Sequence, residues 1–249
     1  MAKKKILLCG ESYIWYTTHL KGADVMTTQG YKENVGPFKA SLEKTYDVTY
    51  MPSHVALYSF PDTVEKLSEY DAVIFSDIGS NTLQQTPSSF PGGIPAPNRL
   101  QALHDYVMQG GAFMMIGGFM SFTGIEGKAR YGMTEIADIF PVELLPFDDR
   151  IEASQGIVPV ISDKAHPVAS ELDVEWPYVI GYNKTVANPD LGDVIATVNG
   201  DPLIAVGKFG KGRTAVYTSD CCPHWCPPVF LDWEGYDKIW VNLIEWLTE

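Results

Sequence analysis

Short apolar runs closed by turn residues alternate with amphipathic stretches over the first half of the chain. "KKILLC" (4–9) ends at Gly10, as a strand buried on both faces of a parallel sheet should. "YDVTYM" (46–51), "YDAVIFSD" (70–77) and "AFMMIGG" (112–118) are further strand-like runs. Between them, "FPDTVEKLSEY" (60–70) places Glu65 three residues after Asp62, a helix-start signature with Leu67 on the apolar face. "NRLQALHDYVMQGG" (98–111) has Leu100, Leu103, Tyr106 and Val107 at helical spacing and closes on glycines. This alternation predicts an α/β fold, a parallel sheet with helices on both faces.

The second half reads as shorter strands: 157–161, 177–183, 193–198, 202–209 and 213–220. The last two, joined by "GKG", predict a β-hairpin. "YDKIWVNLIEWLTE" then repeats apolar residues at helical spacing, from Tyr236 through Ile239, Trp240, Leu243 and Ile244 to Leu247, and predicts a terminal helix docked on the sheet. Residues 79–98 hold four prolines and no periodicity, which marks a long loop. Neither an internal repeat nor a linker interrupts the pattern, so one domain over 1–249 is expected.

Composition narrows the function classes. The 249 residues are 45% hydrophobic and 20% charged, with a formal charge of −13. That balance argues against a nucleic-acid binder, which needs clustered Lys and Arg. The one basic run, Lys3 to Lys5, leads into an apolar run too short for a signal peptide. No stretch approaches the ~20 apolar residues that span a bilayer. A cytoplasmic protein with reduced thiols is expected, its partner a small-molecule ligand rather than nucleic acid or membrane. The aromatic-rich segments make a homo-oligomer plausible.

Ligands of open parallel sheets bind beyond the carboxyl ends of the strands. The residues expected there are Glu11 and His19 after the first strand, and Asp77 and Asn81 after the third. Ser121, Glu126, Lys128 and Arg130 follow "AFMMI". The last strand delivers Asp220 and the cluster Cys221, Cys222, His224 and Cys226 within "TSDCCPHWCPP". Each also has a structural reading: Glu11 as a helix cap, Asp77 and Asn81 as turn residues, Lys128 and Arg130 as partners of Asp148 and Asp149, and His166 as the cap of a short helix. Trp15 beside Tyr13 and Tyr16 is a candidate stacking platform.

The strand and turn "MMIGGFMSF" and the closing "GKGRTAVYTSD…PHW" resemble class I glutamine amidotransferases, which have a flavodoxin-like fold. "GES", "YDAVIFSDIGSNTL", "PNRL", "GGFMSFTGIEGKARYG", "LPFDDR", "GYN" and "SDCCPHW…FLDWEGY" together are more similar to a bacterial family described as putative glutamine amidotransferases. "GKGRTAVYTS" also resembles the ThuA-like proteins. The resemblance implies a catalytic histidine at His224 and a cysteine nucleophile at the turn after "MMI". That turn reads Gly117-Gly118-Phe119-Met120-Ser121-Phe122, with Phe119 or Met120 where the cysteine belongs. Neither side chain attacks a carbonyl, and Trp225 rather than a Pro-Glu pair follows His224.

The expectation is therefore a small-molecule enzyme, a hydrolase or transferase, or a binding protein, without standard glutaminase chemistry. Its catalytic candidates are His224, Glu11 and Ser121. Asp77, Asn81, Lys128, Arg130 and Asp220 are its ligand-binding candidates. Two alternatives stay open: a non-catalytic interaction or oligomerisation domain, and a metal-assisted hydrolase using His224 with nearby carboxylates. The spacing of "CCPHWC" does not match paired zinc knuckles, so the thiols are expected as small apolar packing groups and no metal ligand is assigned. No G-x-G-x-x-G follows a strand, and no cofactor is expected.

Overall fold

The computed structural model describes residues 2–172 and 175–249. Its strands are β1 (Lys5–Gly10), β2 (Ser12–Lys21), β3 (Asp24–Glu33), β4 (Asp47–Met51), β5 (Ala72–Ser76), β6 (Ala112–Ile116), β7 (Glu143–Leu144), β8 (Arg150–Ile157), β9 (Val160–Ile161), β10 (Val179–Asn183), β11 (Thr185–Val186), β12 (Asp193–Val198), β13 (Asp201–Phe209) and β14 (Gly212–Tyr217). The α-helices are α1 (Gly36–Glu43), α2 (Ser53–Ser59), α3 (Val64–Leu67), α4 (Ser80–Gln84), α5 (Arg99–Met108), α6 (Pro228–Leu231) and α7 (Gly235–Leu247).

Eight strands form one sheet in the order β4-β1-β5-β6-β14-β13-β12-β9. The first five run parallel. Counted among themselves they give 2-1-3-4-5, the flavodoxin-like order expected from the sequence. The hairpin β13–β14 and strands β12 and β9 extend the sheet antiparallel. The pairs β8–β10 and β7–β11 complete the β-rich second half.

Side-chain alternation along the parallel strands builds a core on each face. Ile6, Leu8, Ile74 and Met114 pack with Phe38 and Leu42 of α1 and Trp240 and Leu243 of α7. Leu7, Cys9, Phe75 and Met115 pack with Leu67 of α3, Leu83 of α4 and Leu100 and Leu103 of α5. Each such side chain taken from water contributes about 1.5–3 kcal/mol, so the apolar stripe of α7 holds that helix far more strongly than its intrinsic propensity does.

The local signals were honoured unevenly. Asn98 caps α5 by accepting from the backbone of Leu100 and Gln101, and His166 caps a short 3₁₀ turn through its Nδ1. Helix α3 is one turn long and is capped by Thr63. Asp62, expected to begin it, instead pairs with Lys66.

The larger difference concerns residues 12–33, to which the sequence pattern assigned no element. They form the antiparallel hairpin β2–β3, ten residues per strand, in a two-stranded sheet of its own. Gly22 opens its two-residue loop at φ +66, as such turns favour. Tyr16 lies on the opposite face of this arm from Tyr13 and Trp15, so the three do not form one platform.

Candidate functional site

The strand order reverses between β1 and β5, and the chain beyond both carboxyl ends turns sharply there. Gly10 has φ +114, and a Cβ on it would lie 1.8 Å from the Ser76 carbonyl oxygen. Only glycine lets the two strand ends approach this closely. Glu11 follows with φ 51 and Asp77, after β5, with φ 45. Left-handed backbone at a non-glycine residue costs of the order of 1–3 kcal/mol and concentrates at functional sites. Two carboxylates at the reversal point are thus held in unfavourable backbone by the surrounding fold.

Strand β14 delivers the third acid. Asp220 and Glu11 are each 3% exposed. Asp220 Oδ1 accepts the Cys222 N–H at 2.9 Å, and its Oδ2 lies 3.4 Å from His224 Nδ1. Ser76 Oγ donates to Glu11 Oε1, and Asp77 Oδ1 accepts the Met120 N–H at 2.7 Å. His224 stacks on Trp225 and meets the Phe119 ring edge at 4.2 Å between centroids. The Arg150 guanidinium lies over the same Phe119 ring, 5.3 Å from its centroid. The His224 side chain is 33% exposed, so it connects the buried acids to solvent.

The electrostatics follow from burying like charges together. Burial, then the Asp220 and Asp77 charges, push Glu11 well above the usual carboxylate range, against the Ser76 hydrogen bond. Burial, then Asp77, does the same to Asp220 despite three backbone N–H groups. Asp77 is also raised by burial, opposed by the Met120 N–H and His224. Burial lowers His224, with Asp77 and Glu152 opposing it. Burial and mutual repulsion therefore favour protonated Glu11 and Asp220 beside a neutral imidazole, while the Met120 N–H and His224 favour the ionised form of Asp77.

The thiols pack into this base. Cys221, Cys222 and Cys226 are buried with Tyr236 and Trp240 of α7, and the Tyr236 hydroxyl donates to the Cys221 carbonyl. Burial pushes Cys221 far above the ordinary thiol range. Cys222 is drawn down by its contact with Cys221, but burial and the Glu11 and Asp220 charges leave it at about 11.

Four of the expected residues, Glu11, Asp77, Asp220 and His224, come together. Ser121 is adjacent, but its hydroxyl donates to the Ile116 carbonyl at 2.6 Å and accepts the Asp77 N–H at 3.2 Å. Its hydroxyl proton is committed to the backbone. Asn81 lies exposed on α4 beside a surface groove with Leu57 and Tyr58. Lys128 pairs with Glu126, and Arg130 reaches Met133. Asp148 pairs with Arg150 instead of either cation.

Sequence reasoning passed over Asn183 and read Asp149 only as a partner for Lys128 or Arg130. Asp149, 1% exposed, accepts the N–H groups of Thr123 and Gly124 and the Asn183 amide at 2.8 Å. Asn183 Oδ1 in turn accepts the Gly118 N–H at 2.9 Å. This bridge ties the turn after β6 to β10. Both residues stand in motifs, "FDDR" and "GYN", whose polar members were the available signal.

The sequence profile of the family described as "Putative glutamine amidotransferase" matches residues 5–249. The chain belongs to that family. Two Salmonella typhimurium structures resemble this amidotransferase-like chain throughout. "Cytoplasmic Protein STM3548" is 39% identical, with a TM-score of 0.94, over 97% of this chain and 98% of its own. "Cytoplasmic Protein STM1381", from strain LT2, is 41% identical, with a TM-score of 0.94, over 98% and 100%. A "Putative thua-like protein" from Parabacteroides merdae is 14% identical, with a TM-score of 0.57, over 99% and 90%, and shares the fold alone. No curated protein sequence matches this amidotransferase-like chain.

The turn after β6 departs from a nucleophile elbow in backbone as well as in residue type. An elbow leads from strand directly into helix. Here Gly117–Ser121 lead into three 3₁₀ turns, Ile125–Gly127, Tyr131–Met133 and Ala137–Ile139. Gly117 is needed because a Cβ would lie 2.1 Å from the Thr218 carbonyl oxygen.

Proposed function

We propose that this amidotransferase-like protein is a cytoplasmic small-molecule enzyme working by acid–base chemistry at the carboxyl ends of its parallel strands, without cysteine-dependent glutaminase activity. The observation that carries this reading is the convergence of Glu11, Asp77, Asp220 and His224 from separate strand ends at the sheet's reversal point. In it, Asp220 orients His224 through Nδ1 and leaves Nε2 to exchange a proton with a bound ligand. Glu11 and Asp220 hold protons in reserve, and Asp77 supports protonation of the imidazole. Ser121 positions Asp77 instead of attacking substrate. One sheet running through both halves of the chain supports a single domain, and the Salmonella relatives' description supports the compartment.

The test combines two measurements. Imidazole proton NMR should place His224 below its usual value of about 6.5, and Asp77→Asn should lower it further. Incubation with glutamine should release no glutamate above a His224→Ala control. Glutamate release abolished by both His224→Ala and thiol alkylation would restore the glutaminase reading. A His224 titration unmoved by Asp77→Asn would sink the proton-exchange assignment.

One observation favours a second reading. Ligand atoms of Glu11, Asp220, Cys221 and Cys222, all buried, lie within 4.8 Å of one another. Two carboxylates and two thiols suit zinc, and a cation would relieve the crowding that raises every member. His224 stands outside this group. Metal analysis of protein purified without chelator discriminates the two: stoichiometric zinc lost in Cys222→Ser selects the metal reading, and none selects the acid–base one.

A further inference from the structure

The β2–β3 arm has no role in the acidic site, yet it carries the most unusual surface of the molecule. Residues 13–27 are exposed without interruption. The arm meets the body mainly at its root, where Ser12 hydrogen-bonds Ser53 and Tyr31 packs edge-on against His54. Isolated two-stranded hairpins are marginal in water, and contiguous exposed apolar surface marks an interaction site.

The register sorts the arm into two unlike faces. Directly paired residues share a face and successive residues alternate. One face carries Tyr13, Trp15 over Gly30, Met26 and His19, together with Lys21, Asp24 and Lys32. The other carries Ile14, Tyr16, Leu20, Val25 and Tyr31, with Thr18, Thr27 and Gln29 between them, and ends at the root in Ser12 and Glu33, whose carboxylate accepts from the Tyr31 hydroxyl. No charged residue interrupts that second face from Ile14 to Tyr31. Its five large side chains are 58%, 67%, 75%, 65% and 48% exposed in that order.

We propose that this charge-free face packs against the same face of a second copy of the chain, making the arm the dimerisation element. Electrostatics select a second copy as occupant. Within 12–33, Lys21 and Lys32 balance Asp24 and Glu33, so the formal charge of −13 falls entirely on the rest of the chain. Two bodies of like charge repel, and the projecting arm is where they can meet without bringing that charge together. A basic partner would be drawn to the acidic body, and the uncharged face offers it nothing. Area agrees. Side chains of this size and exposure present on the order of 600 Å² per copy, or about 1,200 Å² in a symmetric pair, which clears the roughly 1,000 Å² of a specific interface. A sheet face packed on its own copy about a two-fold axis is also self-complementary.

Sedimentation velocity on the full chain over a wide concentration range tests this. The wild type should be a dimer, or an assembly containing one. Tyr16→Lys with Leu20→Lys should weaken association by about 30-fold or more. His19→Ala with Lys21→Ala, on the opposite face, should leave it unchanged. Circular dichroism checks that each variant folds, and replacing residues 15–30 with a two-glycine turn serves if the double lysine variant does not. A monomeric wild type overturns the proposal and hands the arm to a different occupant. So does an assembly that survives both the lysine substitutions and the shortened arm.

Discussion

Asn183→Ala removes the bridge that holds the turn after β6, and its cost can be worked from the contacts. The side chain is fully buried, and its amide serves two partners: Oδ1 for the Gly118 N–H and Nδ2 for Asp149 Oδ1. Alanine strands the Gly118 N–H in a dry site, a penalty of about 1–3 kcal/mol. It also deletes one of Asp149's three donors; Thr123 and Gly124 remain. That loss adds roughly 1 kcal/mol if the carboxyl is protonated and more if it is charged. The sum is about 3 kcal/mol, a large share of the 5–15 kcal/mol typical of a folded domain. For a chain of this size it corresponds to a fall in Tm of about 10 °C.

The pH dependence sharpens the test. Burial raises Asp149 above its ordinary value, and the Asn183, Thr123 and Gly124 hydrogen bonds oppose that rise. A carboxyl raised in the folded state makes the native protein bind more protons than the unfolded one, so stability falls as pH rises through that interval. Removing Asn183 raises Asp149 further and extends the interval upward. The deficit measured by circular dichroism melts should therefore be larger at pH 8 than at pH 4.5. Asn183→Asp keeps an acceptor for Gly118 but faces Asp149 with a second carboxylate, so its deficit should be small at acid pH and grow steeply above it. A Tm within about 2 °C of wild type, or a deficit that shrinks as pH rises, would refute the reasoning.

Glu11→Gln should stabilise the protein, because it removes a carboxyl that the native state raises by burial and by the nearby Asp220 and Asp77. The gain, about 1 kcal/mol or 2–4 °C in Tm, should appear at pH 8 and vanish near pH 4, where folded and unfolded states both hold the proton; destabilisation at pH 8 would count against a protonated cluster. All four cysteines are buried free thiols, so a colorimetric thiol reagent at pH 8 should label the native protein slowly and all four residues in guanidinium. A thiol that reacts at once in the native state would mean that the loop around Cys221 is open to solvent.

Local patterning read much of the scaffold correctly because parallel strands and docked helices leave strong periodic signals. β1, β5 and β6 are apolar on both faces, and α7 repeats its stripe over three turns. The arm was missed for the opposite reason. Its apolar residues face solvent, so nothing about a core marks "SYIWYTTHLK" despite its strand-like composition. Asp62 failed as a cap because Thr63, one residue later, has the extended backbone that aims a side-chain oxygen at Lys66 N.

What the sequence by itself determined is the flavodoxin-like α/β scaffold, the family, and the absence of cysteine from the turn after β6. The α/β alternation follows from periodicity and the missing cysteine from residue identity, both local, while the flavodoxin-like order and the family are what the resemblance of its motifs implies. Tertiary structure decided which polar groups meet. Glu11, Asp77 and Asp220 are far apart in the chain and converge only because β1, β5 and β14 end at one edge of the sheet. Lys128 and Arg130, equally polar and equally near a strand end in sequence, are carried by the 3₁₀ turns after β6 to Glu126 and Met133. Burial then sets the chemistry. A carboxyl group's proton affinity depends on the water and charges around it, and those are properties of the assembled fold rather than of any segment.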